Sequence, residues 1–198
     1  MPGGGKQPRS RHRRSISSTR TRDLRAHLLA GGAVAYATES CFGLGCDPGS
    51  RAGVERVRAL KGRSREKGLI LVAADFRQLL PFVRPPTPEQ ARRLARHWPG
   101  PFTFVMAASR SAPPWLVGAR HTLAVRVTAH PGAASLCRAL GMALVSTSAN
   151  RAGARPARTY RDCLRRFGAG AWVVSGRVGR RRRPSTIIDL ETGRILRP

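Results

Sequence analysis

The stretch that decides the fold is PGAASLCRALGMALVSTSAN, residues 131–150. Pro131–Leu140 predicts a helix, because proline suits a first helical position and Gly141 follows as a stop. Met142–Ser146 is a short apolar run typical of a buried strand, and it leads into a polar loop, Thr147–Arg158. A helix followed closely by a buried strand is the building unit of an α/β domain.

The same alternation extends through the rest of the chain. Further helices are predicted at Asp23–Ala30, Ser50–Leu60, Asp75–Leu80, Thr87–His97 and Thr159–Phe167. Further strands are predicted at Ala33–Ala37, Leu69–Ala73, Phe102–Ala107, Leu123–Val127, Ala171–Val174, Thr186–Leu190 and Arg194–Leu196. The segments Thr38–Pro48 and Lys61–Gly68 are predicted to be loops. This pattern predicts a mixed, twisted sheet with flanking helices, without giving the strand order.

The chain carries a large positive charge, with 37 Lys and Arg against 10 Asp and Glu and a net charge of +27. Such a surface favours polyanionic ligands, including nucleotides and nucleic acid. Only three of these cations are lysines, Lys6, Lys61 and Lys67, which also indicates a coding bias toward arginine. The sign of the charge therefore predicts an anionic ligand, while its size does not by itself predict nucleic acid.

Residues 1–22 are basic, contain no acidic residue and have almost nothing apolar to bury. They predict a disordered tail, ahead of one domain at residues 23–198. The tail lacks the apolar segment of a secretory signal, and its composition fits either an organelle transit peptide or a bacterial tail. No apolar run reaches the roughly 20 residues of a membrane span.

Four cysteines, at positions 41, 46, 137 and 163, form no C-x-x-C pair. This spacing argues against a structural zinc site and against a secreted disulfide framework. Reduced thiols, and hence a cytoplasmic location, are the expectation.

Two polar segments stand out as candidate ligand loops. Lys61–Gly68 places four cations between a helix end and a strand start, and loops at strand ends are where ligands bind α/β sheets. Ser146–Asn150 follows a predicted strand with four hydrogen-bonding side chains, which suit phosphate oxygens or a ribose. Each segment also has a purely structural interpretation. Lys61–Gly68 could be a solvated charged loop, and Ser146–Asn150 could be a turn with internal hydrogen bonds. The residues of each segment, taken alone, leave both interpretations open.

Together, Lys61-Gly62-Arg63 and the downstream Ser148-Ala149-Asn150 resemble the K-x-R and S-x-N motifs of the threonylcarbamoyl-AMP synthase (TsaC/YrdC) family. Matching blocks occur in order along residues 23–198: Ala35–Ser40 with Phe42–Asp47, Lys67–Ile70, Trp98–Thr103, Leu123–Val127 with His130-Pro131, Pro184–Asp189 and Leu196–Pro198. Ala37 and Ser64 stand where the family usually has proline. The chain resembles the short, single-domain form.

The resemblance implies a YrdC-like twisted mixed sheet with flanking helices and a basic, concave active-site face. It implies an L-threonylcarbamoyladenylate synthase, a nucleotidyltransferase that condenses L-threonine, bicarbonate and ATP and releases pyrophosphate. The product serves the N6-threonylcarbamoyladenosine (t6A) modification at position 37 of tRNA. Mg²⁺ is expected to travel with ATP, no metal site of the protein itself is expected, and a separate threonylcarbamoyl transferase is the implied partner.

The resemblance also implies roles for individual residues. Lys61 and Arg63 are expected to act catalytically on the ATP phosphates and the carbamate. The expected nucleotide-binding residues are Arg65, Thr122, Ser148, Asn150 and Arg197. The expected threonine-binding residues are Thr38, Arg126, Ser146 and Ser185.

Two alternatives compete with this function. The basic tail and Arg180–Arg183 would also suit a non-catalytic protein of the same fold that binds tRNA or double-stranded RNA. A carbamoyl-transfer enzyme that uses a related domain is the second. The intact K-x-R and S-x-N motifs favour the synthase over the first alternative.

Overall fold

The structure, a computed structural model, describes residues 18–62, 68–118 and 120–198. In these residues the α-helices are α1 Ser18–Leu29, α2 Arg51–Lys61, α3 Pro88–Ala95, α4 Pro131–Leu140 and α5 Tyr160–Phe167, with a 3₁₀ turn at Phe76–Gln78. The strands are β1 Val34–Ala37, β2 Phe42–Cys46, β3 Ile70–Ala73, β4 Phe102–Ala107, β5 Thr122–Val127, β6 Leu144–Ser148, β7 Trp172–Val173, β8 Thr186–Asp189 and β9 Ile195–Arg197.

Short-range signals in the sequence set the helix ends. The Ser50 side chain accepts a hydrogen bond from the Gly53 amide at the start of α2, and Gly62 ends α2 in the left-handed conformation. Gly141 ends α4 in the same way. Glycine is favoured at such positions because it has no Cβ to clash with the following carbonyl. The predicted cap at Ser50 and the predicted stop at Gly141 are confirmed.

The strands of the described residues form one sheet in the order β7-β1-β2-β6-β3-β5-β4-β8-β9. Three neighbouring pairs are parallel, namely β1 with β7, β3 with β5 and β4 with β8. The remaining pairs are antiparallel. The predicted mixed sheet with flanking helices is confirmed.

The two faces of the sheet are covered unequally. On one face, side chains such as Phe42, Leu44 and Phe104 are fully buried in the larger apolar cluster. On the other face, a smaller cluster joins α1 and α4 to the sheet around Tyr36 and Leu144. The same side of the sheet also has buried polar residues, among them Thr103, Arg126 and Ser146, and we call this area the polar face. No helix of the described residues is long and apolar enough to span a membrane.

The predicted loop Thr38–Pro48 is wrong, because Phe42–Cys46 forms the fully buried strand β2. The strand escaped prediction because glycines occupy alternate positions, and glycine weakens a strand pattern. At Gly45 the close packing of the neighbouring strand leaves no room for a side chain. A Cβ on Gly45 would lie 2.1 Å from the carbonyl oxygen of Val145 in the neighbouring strand.

Other boundaries differ by a few residues. Helix α1 begins at Ser18 and so includes residues 18–22 of the predicted tail; residues 1–17 lie outside the described part. The helix predicted over Asp75–Leu80 is only a three-residue 3₁₀ turn, capped by Asp75. Strand β6 starts and ends two residues later than expected, at Leu144 and Ser148.

Candidate active site

Strand pairing places two of the predicted threonine-binding residues on the polar face. Ile70 of β3 is paired with Ser146 of β6 and with Ala124 of β5. Side chains alternate between the faces of a sheet, so Ser146 and Arg126, which lies two residues beyond Ala124, project to the same side. Arg126 is therefore a diagonal neighbour of Ser146 across β3.

The far strands of the sheet contribute to the same face. The antiparallel register of β4 and β5 places Thr103 opposite Arg126. The Thr103 hydroxyl lies 2.8 Å from the Ser185 hydroxyl, and both residues are buried. The guanidinium of Arg197 donates two hydrogen bonds to the Ser185 carbonyl, at 3.2 and 2.8 Å, and one to its hydroxyl at 3.3 Å. The predicted residues Ser185 and Arg197 therefore lie together.

Lys61 joins the two sequence motifs physically. It ends α2 with only 3% of its surface exposed. Its ammonium donates hydrogen bonds to the carbonyl of Ser148, to the carbonyl of Asn150 at 2.9 Å and to the Asn150 side-chain oxygen at 3.2 Å. The Ser148 hydroxyl donates to that same Asn150 oxygen at 2.5 Å. Lys61 thus fixes the S-x-N loop, and a phosphate would have to replace one of these acceptors to reach the ammonium.

Arg126 and Glu39 form a buried ion pair on the polar face. Nη2 of Arg126 lies 3.1 Å from Oε2 of Glu39, and the two side chains are only 10% and 14% exposed. Oε1 of Glu39 accepts a hydrogen bond of 2.7 Å from the Thr128 hydroxyl. Because a lone buried charge is costly, each member of this pair offsets the cost of burying the other.

A segment after β7, residues 174–185, crosses the end of β1 and carries Ser185 to the site. The Gly179 amide donates to the Thr38 carbonyl at 2.9 Å, and the Arg181 amide donates to the Glu39 carbonyl at 3.1 Å. The Arg181 side chain bonds to the carbonyl oxygens of Arg183 and Pro184 within the segment. One arginine of the basic run therefore braces this turn.

Thr38 and Ser146 approach each other over Gly43. The Thr38 hydroxyl donates to the carbonyl of Cys41 at 2.8 Å. A Cβ on Gly43 would lie 3.2 Å from the Ser146 hydroxyl oxygen and 3.4 Å from the Thr38 methyl carbon. Glycine therefore keeps a small space open between two residues that the resemblance assigns to threonine.

The remaining predicted residues occupy the other end of this face. Thr122 is half-buried at the start of β5, on the same face as Arg126 and four residues before it. At about 3.3 Å per strand residue, roughly 13 Å separates the two. Ser148 lies displaced from Ser146 in the same direction, since β6 runs antiparallel to β3. The predicted phosphate-binding residues Arg63 and Arg65 lie outside the described residues.

The described part of the site has more positive than negative charge. Burial lowers the pKa of Arg197, and the positive charge of Arg126 lowers it further. Lys61 is a third buried or half-buried cation, whereas Glu39 is the carboxylate paired at the centre. A site with this balance favours anionic ligands, because bound negative charge relieves the repulsion among its cations.

Glu39 is the functional candidate that the sequence did not single out. It stands in the block Ala35–Ser40, where the resemblance assigns a role to Thr38 and none to Glu39. The sequence offers one indication of its importance, namely that acidic residues are rare here: Glu39 is one of only 10 in a chain of 198. Its pairing with Arg126, 87 positions away, is set by the tertiary structure.

Comparisons with known proteins show the family and the fold of the chain. Residues 26–198 match the Sua5/YciO/YrdC family model, which is described as "Telomere recombination". The threonylcarbamoyl-AMP synthase of Thiobacillus denitrificans is 58% identical over 174 residues, which are 88% of this chain and 93% of the relative. The synthase of Chromobacterium violaceum is 55% identical over 173 residues, 87% of this chain and 90% of the relative.

Among solved structures, P. abyssi Sua5 complexed with L-threonine is 30% identical with a TM-score of 0.83. The match covers 92% of this chain and 55% of the P. abyssi chain, so this chain corresponds to about half of that protein. The family match, the synthase relatives and the shared fold lead to one conclusion: the chain belongs to the Sua5/YciO/YrdC family.

Proposed function

We propose that this protein is an L-threonylcarbamoyladenylate synthase that supplies the t6A modification of tRNA. The observation that carries the proposal is that Arg126 lies with Ser146, Ser185 and Arg197 on one polar sheet face, while Lys61 holds the S-x-N loop at the end of β6. The names of the relatives favour this enzyme over an RNA-binding protein, for which the net charge is the main support.

The chemistry requires two anions to be brought together. The amine of threonine and bicarbonate give a carbamate and water, and the carbamate oxygen attacks the α-phosphorus of ATP as pyrophosphate leaves. This makes the enzyme a nucleotidyltransferase. Carbamate and triphosphate repel each other in water, and fixed cations in a partly dry site offset that repulsion.

Each residue has a proposed part in this reaction. Arg126 binds the threonine carboxylate with its planar fork of donors, and Thr38, Ser146 and Ser185 surround the rest of the amino acid. Ser148, Asn150, Thr122 and Arg197 hold the nucleotide. Lys61 shapes the S-x-N loop and faces the phosphates, together with Arg63 and Arg65.

Magnesium enters this proposal as part of the substrate MgATP. The described residues contain no group of three or more His, Cys, Asp or Glu side chains that could hold a metal ion. Phosphate oxygens and water are the ligands that Mg²⁺ prefers, so the ion would be held mainly by the nucleotide. The proposed setting is the cytoplasm, with a separate transferase that passes the product to tRNA.

Pyrophosphate release from MgATP tests the proposal directly. We expect release to require both threonine and bicarbonate, and to fall roughly 100-fold in Lys61→Ala and Arg126→Ala, since each loses a buried charged contact worth about 3 kcal/mol. Arg92→Ala is the matched control, because Arg92 is exposed on α3 outside the described site residues. A folded wild type whose release ignores threonine contradicts the proposal, and salt-sensitive RNA binding by that protein would favour the alternative.

A further inference from the structure

Two buried polar atoms of the Glu39–Arg126 pair lack hydrogen-bond partners among the described residues: Oε2 of Glu39 and Nε of Arg126. Burial raises the pKa of Tyr36 on the same face well above its usual range, while a hydrogen bond with the Ser146 side chain and the charge of Arg126 act in the opposite direction. Buried polar groups without partners are uncommon and usually indicate a missing ligand or water.

Glu39 is held firmly while one of its oxygens stays available. Oε1 is occupied by the Thr128 hydroxyl at 2.7 Å, and the Glu39 carbonyl accepts from the Arg181 amide at 3.1 Å. Oε2 lies 3.1 Å from Nη2 of Arg126, yet no N–H of that guanidinium is aligned to donate to it. The carboxylate position is thus fixed by other contacts, and Oε2 retains the capacity to accept a hydrogen bond.

A free α-amino acid presents an ammonium group beside a carboxylate. The buried guanidinium of Arg126 and the buried carboxylate of Glu39 lie side by side and offer the two complementary charges. A ligand bound here by a carboxylate on Arg126 would therefore bring its ammonium group close to Glu39. Charge-assisted hydrogen bonds of this kind are among the stronger ones in proteins.

We propose that Oε2 of Glu39 binds the α-ammonium group of threonine, beside the Arg126 guanidinium that binds the α-carboxylate. This inference rests on the proposed function and assigns Glu39 as a specificity residue of the same site. It explains why an acidic side chain is buried in a site that otherwise collects anions. After carbamate formation the nitrogen keeps one N–H, which can still donate to Oε2.

The test is a binding cycle that combines one substitution with one change in the ligand. Calorimetry measures the affinity of wild type and of Glu39→Gln for two ligands, L-threonine and 3-hydroxybutanoate. The second ligand lacks only the α-amino group. We expect loss of the amino group to weaken binding to wild type about 30-fold, as for one charge-assisted hydrogen bond. In Glu39→Gln we expect threonine to weaken by a similar factor, while 3-hydroxybutanoate changes less than about threefold.

A merely structural role for Glu39 predicts a different pattern. If Glu39 only braces Arg126, both ligands weaken equally in Glu39→Gln, and the proposal is overturned. Thr128→Val is the control for bracing, because it removes the donor to Oε1 and should weaken both ligands equally. If Glu39→Gln does not fold, as shown by its thermal transition, Glu39→Asp undergoes the same cycle with the same expectations.

The cycle also separates this inference from the proposed function. A wild type that releases pyrophosphate only with threonine, combined with equal weakening of both ligands, rejects the role of Glu39 alone. A wild type whose pyrophosphate release ignores threonine rejects the synthase itself, together with this inference.

Discussion

At the scale of single residues, two glycines of β2 have different purposes. A Cβ on Gly45 would lie 2.1 Å from the backbone oxygen of Val145, which cannot move without breaking the sheet. A Cβ on Gly43 would lie 3.2 Å from the Ser146 hydroxyl and 3.4 Å from the Thr38 methyl, which the structure can accommodate. We interpret Gly45 as a packing requirement and Gly43 as the floor of the proposed threonine pocket.

The variants Gly45→Ala and Gly43→Ala therefore fail in different ways. We expect Gly45→Ala to lower the free energy of unfolding by about 3 kcal/mol through overpacking. Gly43→Ala should cost about 1 kcal/mol or less, but should raise the KM for threonine about tenfold, because the added methyl group occupies ligand space. Urea unfolding and pyrophosphate release measure the two effects. Equal KM values for wild type and Gly43→Ala would exclude Gly43 from the pocket.

At the scale of elements, helix α2 has to end where Lys61 can reach the S-x-N loop. Gly62 ends the helix with φ of 58°, and a Cβ there would meet nothing within 4 Å. Gly141 ends α4 with φ of 69° and equally open surroundings. The two glycines are thus matched in conformation, but only Gly62 is adjacent to a proposed catalytic residue.

We expect Gly62→Ala and Gly141→Ala to lose similar stability, about 1–2 kcal/mol each, because an alanine Cβ is strained in the left-handed conformation. Activity should separate them, since only Gly62→Ala displaces the end of α2 and the ammonium that holds Ser148 and Asn150. Thermal unfolding measures the first effect and threonine-dependent pyrophosphate release the second. An equal loss of activity in both variants would argue against a positioning role for the end of α2.

Elements with strong local signals could be predicted from sequence, and the exceptions have physical reasons. Phe102–Ala107 and Pro131–Leu140 were predicted with the bounds that the structure shows, because apolar patterning, proline and glycine all agree there. Strand β2 was missed because Gly43 and Gly45 serve tertiary contacts that no local pattern reveals. The start of α1 at Ser18 was missed because those residues are polar, while the helix packs only through Leu24 and Leu28 further along.

At the scale of the whole molecule, the candidate site could be predicted only in part. Resemblance named Arg126, Ser146 and Lys61, and the structure brings the first two onto one face and ties the third to the S-x-N loop. The partnership of Arg126 with Glu39 could not be predicted, since it depends on how β5 and the end of β1 meet in the folded chain. The individual roles of these residues stay predictions until ligands are measured.

Buried thiols resist ionisation in the folded chain, and this makes the stability of the protein depend on pH. The four cysteines are free. Burial raises the pKa of Cys137 from 9.0 to about 12 and that of Cys163 to about 11. The Cys137 thiol lies 3.6 Å from the Val72 carbonyl, which favours the protonated form as a donor.

The sign of this dependence follows from the raised pKa values. Below about pH 9 both folded and unfolded chains hold the thiol protons, so the contribution to stability is complete. Between pH 9 and 11 the unfolded chain releases protons that the folded chain keeps, and each such thiol lowers the free energy of unfolding by up to about 1.4 kcal/mol per pH unit. We expect urea unfolding under reducing conditions to show this decline. The free energy of unfolding should fall less steeply with pH in Cys137→Ala than in wild type, whatever the starting stability of the variant. Parallel slopes for the two proteins would mean that Cys137 ionises equally easily in both states, and its burial would then have no effect on its proton.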